Sequence, residues 1–196
     1  MPMGCDTLST MNRLIPHPRA LRAHLRRGGL VAYATRAVFG LGCDPRSARG
    51  LRRLLRLKRR PAHKGLIVIG DRWPRLQPFH APLTESQSAR VASDEAACTW
   101  LLPAGRRAWP LLTGGGLPRR MALRMDRHAD AVHLCRALRM ALVSTSANRA
   151  GQRPVKTTRE CLRQFGGQVR VLPGRVVPRA RPSKIIDVVS EAIIRK

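Results

Sequence analysis

The chain has 196 residues, 43% of them hydrophobic, which is enough for one domain with a real core and too apolar for a disordered chain. Thirty-eight Lys and Arg against 11 Asp and Glu leave a formal charge of +27, which favours polyanions: nucleotides, tRNA, ribosomes or acidic membranes. Aromatics, at 4%, are too few for the stacking platforms that read single-stranded RNA.

Only five of the cations are Lys, so a compositional bias toward Arg on solvated faces accounts for the charge as readily as a polyanion does. Cysteines at 5, 43, 98, 135 and 161 form no CxxC pair, which argues against a disulfide framework or zinc ribbon and suits a reducing cytoplasm. His128, His133 and Cys135 match no zinc signature and read as helix-surface residues, so no metal ligands are expected. No run approaches a membrane span, and Met1 to Pro18 has no apolar signal-peptide core.

Residues 1–18 are expected to be a loose leader and 19–196 a single domain. Arg19 to Arg27, with Leu21 and Leu25 before Gly28-Gly29, reads as a short amphipathic helix. Leu30–Tyr33 is a strand, and Ala34 to Pro45 a loop with a small core patch around Phe39 and Leu41. Ser47 caps a helix from Ala48 to about Lys58, with Leu51, Leu54 and Leu55 inward and Arg49, Arg52, Arg53 and Arg56 outward. The basic run Lys58-Arg59-Arg60-Pro61 then leads through Lys64-Gly65 into a strand at Leu66–Ile69. If the chain is extended before Pro61, Lys58 and Arg60 point the same way and make a phosphate site; otherwise the run is an Arg-rich helix end.

A helix is expected from Leu83 to Ala97, strands at Cys98–Pro103 and Met121–Met125, and a turn between them at Thr113–Pro118. A helix over Asp130 to Met140 precedes a strand at Ala141–Ser144 and the polar Thr145-Ser146-Ala147-Asn148. Thr157 or Thr158 caps a helix to Phe165; strands follow at Val169–Leu172 and, after Pro182-Ser183, at Lys184–Val189. Strands alternating with helices predict a mixed α/β sheet in one domain. Polar clusters fall at strand ends: Thr35-Arg36, Lys58 to Lys64, Ser144 to Asn148 and Ser183, where α/β folds bind ligands. There is no Walker A, GxSxG or HExxH sequence and no paired carboxylates. The residues suit positioning and charge neutralisation better than acid–base work.

From about Leu21 to Asp187 the chain resembles the YrdC-like family of threonylcarbamoyl-AMP synthases. The resemblance is carried by Ala37–Pro45, by Leu57–Pro61 with Lys64–Ile67, by Leu123-Arg124 with Asp126 and His128, by Val143–Asn148, and by Pro182-Ser183 with Ile185 and Asp187. It implies a twisted, open sheet of parallel and antiparallel strands with a basic concave cavity. It also implies synthesis of threonylcarbamoyl-AMP from L-threonine, bicarbonate or carbon dioxide, and ATP, with release of pyrophosphate and a role for Mg²⁺. Partner proteins would then modify tRNA beside the anticodon. The family's KxR and SxN signature falls on Lys58, Arg60, Ser146 and Asn148, the catalytic set implied. By the same resemblance Lys58, Arg60, Lys64 and Asn148 hold ATP, and Thr35, Arg124, Ser146 and Ser183 hold threonine. An RNA-binding module of the same fold is the alternative. The chain departs from the family at Arg36, where an acid is usual, at Asp94–Thr99, where Trp-Pro-Gly-Pro-x-Thr is usual, and at Arg120, where a small hydroxyl residue is common.

Overall fold

Period-two alternation builds the centre of the molecule. In a computed structural model of the chain, which describes residues 15, 17–93, 98–106, 108–116 and 118–195, nine strands form one sheet. They are β1 (Val31–Ala34), β2 (Phe39–Gly42), β3 (Ile67–Gly70), β4 (Thr99–Pro103), β5 (Arg120–Met125), β6 (Leu142–Ser146), β7 (Arg170–Val171), β8 (Ile185–Asp187) and β9 (Ile193–Arg195). Their order is β7-β1-β2-β6-β3-β5-β4-β8-β9. β1–β7, β3–β5 and β4–β8 are parallel and the other pairs antiparallel. The expected mixed sheet in one α/β fold is what forms.

Ala32, Leu41, Val68, Leu123 and Val143 point to one face, under α2 (Ala48–Lys58), α4 (Pro110–Thr113) and α6 (Thr158–Phe165). Val31, Tyr33, Ile69 and Leu142 point to the other, under α1 (Pro18–Arg26) and α5 (Ala129–Leu138). Successive strand residues thus feed two separate cores, which gives three layers. The remaining helix, α3 (Glu85–Ala92), starts on a capping box made by Thr84 and Gln87 and buries no residue. It ends before the expected limit; Asp94 to Ala97 lie outside the described residues, as does most of the leader.

Two strands differ from expectation. Residues 39–42, expected as loop, form β2 between β1 and β6. Gly40 and Gly42 dilute its apolar pattern, yet a Cβ on Gly42 would come within 2.6 Å of the Val143 carbonyl. Glycine is therefore what lets β2 and β6 approach. β9 has no expected counterpart, because Ile193 and Ile194 are exposed on an edge and followed by basic residues. The expected strand to Val189 stops at Asp187, whose Oδ1 accepts from the Val189 and Ser190 amides and turns the chain.

Both α2 and α5 end with an arginine in the left-handed region, Arg59 and Arg139, each with φ of 51°. The following amides, of Arg60 and Met140, reach back to the Leu55 and Cys135 carbonyls, a termination that normally uses Gly. Replacing Arg139 by Gly removes the Cβ penalty and is expected to stabilise the protein by about 0.5–1 kcal/mol, after the greater chain entropy of Gly is subtracted. Chemical denaturation reads the change directly. An unchanged or lower midpoint would mean that the arginine side chain contributes more than its backbone costs.

Candidate active site

A concave cavity of about 1420 Å³ opens on the α1/α5 face of the sheet, where those helices leave strands uncovered. Its floor follows from the register. Ser144 lies opposite Ile67, Ile67 opposite Ala122 and Ala122 opposite Leu101, all on one side by alternation. Gly40, Ser144 and Ala122 are small, so this row leaves space where large side chains would close it. Ten Arg and Lys line the cavity, and among the described residues Asp126 is the only carboxylate in the lining.

Lys58 sits at the end of α2 and is only 4% exposed. The chain is not extended there: of the two readings the sequence left open, the run is the Arg-rich helix end, closed by Arg59 in the left-handed region. Lys58 Nζ donates to the Ser146 carbonyl, to the Asn148 carbonyl at 2.8 Å and to Asn148 Oδ1 at 3.3 Å. Ser146 Oγ donates to the same Oδ1 at 2.6 Å, and Asn148 Nδ2 donates to the Arg149 and Gln152 carbonyls. Ser146 lines the cavity, whereas Lys58 and Asn148 stand behind it. The KxR and SxN pairs are therefore joined through one buried ammonium.

Lys58 has no carboxylate partner among the described residues. Burial, reinforced by the Arg60 charge, lowers its pKa to about 8. Above pH 8 the folded chain releases a proton that the unfolded chain keeps to about pH 10.4, so this group adds stability as pH rises through that window. Affinity of the cavity for a polyphosphate runs the other way, because the same step removes a positive charge. ATP binding measured by calorimetry from about pH 7 to 9.5 should weaken with an inflection near 8, and Lys58→Met should lack the inflection.

Arg60 folds back on its own turn, with Nη2 donating to the Lys64 and Gly65 carbonyls at 2.9 and 3.0 Å. Lys64 is exposed on the cavity wall, and Arg59 faces solvent. Thr35 Oγ1 donates to the Val38 carbonyl at 2.6 Å and closes the β1–β2 turn. Arg36 lies exposed on the rim, where its carbonyl accepts from the Val177 amide. Arg120 does not crowd the cavity with bare charge, because its Nε pairs with Asp187 Oδ2 at 3.2 Å. The segment from Val177 to Lys184 brings Arg179 and Arg181 to the lining.

Arg124 is not a surface arginine. Its Nε and Nη2 donate to Asp126 Oδ2 at 3.0 and 2.6 Å, and its Nη1 donates to Ser183 Oγ at 3.0 Å. Ser183 Oγ is 2.9 Å from the Oγ1 of fully buried Thr99. The Ser183 carbonyl accepts from Arg195, whose pKa is lowered by burial and by the Arg124 charge. Arg195 carries no signal in the sequence as a site residue, because it ends an exposed edge strand, whereas Thr99 is the position at which its block keeps the family's residue. The cavity thus gathers Thr35, Arg60, Lys64, Arg124, Ser146 and Ser183, and leaves Lys58 and Asn148 as its backing.

His128, His133 and Cys135 do not form a surface set, since Cys135 is fully buried in the core. No cluster of three or more His, Cys, Asp or Glu among the described residues is placed to hold a metal. The acids near the cavity do not fit a magnesium ion either. Both Asp126 oxygens are engaged, Oδ2 by Arg124 and Oδ1 by the His128 amide, and Asp187 is spent on Arg120 and its turn. Any magnesium would be carried by phosphate oxygens and water.

These features define an α/β protein with a cation-lined cavity of nucleotide size. The Sua5/YciO/YrdC family model, described as telomere recombination, matches residues 23–196, and the chain belongs to that family. It is 51% identical over 176 residues to the threonylcarbamoyl-AMP synthase of Thiobacillus denitrificans, covering 89% of this chain and 93% of the relative. Identity to the enzyme of the same name from Methylobacillus flagellatus is 49% over 178 residues, with 90% and 98% covered. The structure of P. abyssi Sua5 complexed with L-threonine superposes with a TM-score of 0.76 at 24% identity, over 87% of this chain and about half (50%) of that one. E. coli YciO gives 0.76 at 17% identity, over 91% and 88%. Both structural likenesses establish the fold. No described helix is long and apolar enough to cross a membrane.

Proposed function

We propose that this chain is a threonylcarbamoyl-AMP synthase, using ATP to activate a threonine-derived carbamate for tRNA modification in the cytoplasm. The observation that carries the reading is 51% identity, over nearly the whole length of both chains, to a relative of that name. The site chemistry agrees with it. Arg124, with two N–H groups left after its protein contacts, and Ser183 suit an amino-acid carboxylate; Thr35 and Ser146 complete that end. Arg60 and Lys64 suit the phosphates, while Lys58 adds positive potential from behind and, with Asn148, holds the Ser146 turn.

The threonine ammonium gives one proton to solvent, the free amine adds to carbon dioxide, and the adduct nitrogen gives a second proton to solvent to leave a carbamate. A carbamate oxygen then bonds to the α-phosphorus as its bond to the bridging oxygen breaks, and pyrophosphate leaves with the electron pair. The carbamate and ATP are both anionic, so fixed cations that position two negative groups lower the barrier to adenylation without a protein acid or base. The expected result is pyrophosphate release that requires threonine, bicarbonate and ATP together, and that Arg60→Ala reduces about a hundredfold. Folded protein with neither turnover nor ATP binding would overturn the reading. RNA binding without adenylate synthesis is not favoured, since the curated relatives carry the enzyme's name.

A further inference from the structure

We propose that Asp126 is a positioning residue that sets Arg124 for the amino-acid carboxylate, an inference that rests on the reading of this cavity as a threonine site. The chain leaves β5 at Asp126, and three features fix it there. Its amide donates to the Gly70 carbonyl at 3.0 Å, its Oδ1 accepts from the His128 amide at 3.0 Å, and it is 6% exposed. The backbone of Asp126 is therefore tied to β3 and its carboxylate to the His128 amide before any arginine reaches it. Its Oδ2 then takes both Nε and Nη2 of Arg124, while Ser183, backed by Thr99, takes Nη1. A guanidinium gripped this way cannot rotate, and of its five N–H groups one remains on each Nη.

Charge and geometry give opposite expectations for Asp126→Asn. If Asp126 only screens Arg124, removing its charge leaves the cavity more positive and an anionic substrate binds tighter. If it positions Arg124, the loss of the charged acceptor, with an amide N–H turned toward the arginine, frees the guanidinium and threonine binds more weakly. The Asn side chain still offers an oxygen to the His128 amide, so the fold at the start of α5 is kept.

Steady-state kinetics on the full chain, read beside arginine Nε–H NMR, test this. The Nε–H signal lost in Arg124→Lys identifies the Arg124 resonance. For Asp126→Asn we expect the KM for threonine to rise about tenfold or more, the KM for ATP to stay within about twofold, a broadened Arg124 signal, and a melting temperature lowered by the unpaired guanidinium. A threonine KM that is unchanged or lower overturns the proposal, as does an equal loss for both substrates. Should Asp126→Asn not fold, Asp126→Glu keeps the charge but moves it by one methylene. A raised threonine KM with an unmoved ATP KM in that variant supports the positioning role, and an unmoved threonine KM overturns it. A wild-type chain that ignores threonine altogether overturns the enzyme reading instead, and the NMR signal then decides whether Asp126 holds Arg124.

Discussion

Lys58→Ala is expected to lower turnover about a hundredfold or more while changing stability by no more than about 2 kcal/mol. Two opposed terms make the stability effect small. The truncation strips a donor from the Ser146 carbonyl, the Asn148 carbonyl and Asn148 Oδ1, and each acceptor left dry costs about 1–3 kcal/mol. It also removes a buried ammonium that has no carboxylate partner among the described residues, whose desolvation costs several kcal/mol. Function has no such offset. The turn that presents Ser146 loses its tie to α2, and the phosphate end loses a charge held in a low-dielectric setting. Lys58→Met, which keeps the apolar stem, separates the two effects: it should melt near wild type and still fail to release pyrophosphate. Turnover of Lys58→Met within about threefold of wild type would show that the buried ammonium is structural only.

Arg124→Ala is expected to raise the threonine KM more than about a hundredfold and to destabilise the protein by about 3 kcal/mol. Arg124 and Asp126 have side chains 14% and 5% exposed, so removing the arginine leaves a carboxylate largely out of water without its cation. Adding Asp126→Asn to Arg124→Ala removes that stranded charge. The double variant should recover much of the stability and none of the threonine affinity, since the residues are in contact and their effects do not add. Thermal melts and isothermal titration with threonine give both quantities. Full recovery of threonine affinity in the double variant would mean that Arg124 acts only as the partner of Asp126.

Helix α2 is legible because its Ser47 cap and its leucine spacing agree, and the helix runs from Ala48 to Lys58 as expected. The same holds for α6, where Thr157 and Glu160 make a capping box. Strands β1, β3 and β6 are visible as short apolar runs, because each is buried on both faces. β2 and β9 are not. One is buried throughout but carries glycines demanded by a neighbouring strand, which interrupt its apolar run, and the other is an exposed edge with no burial to create a pattern.

For the site, polar residues clustered at strand ends point to Thr35, Arg60, Lys64, Ser146 and Ser183, and the family resemblance adds Arg124; all six line one cavity. The resemblance also marks Lys58 and Asn148 as belonging together. What neither contains is direction. Lys58 turns inward because Arg59 adopts a left-handed cap, Arg124 is pinned because Asp126 is itself held by β3 and α5, and Arg120 is neutralised by an aspartate 67 residues away. Hydrophobic periodicity and capping are local, so the chain alone determined its helices, its buried strands and the chemistry available. Which charges face the cavity, which are paired and which are spent on the fold depends on contacts between distant segments, and those exist only once the sheet has closed.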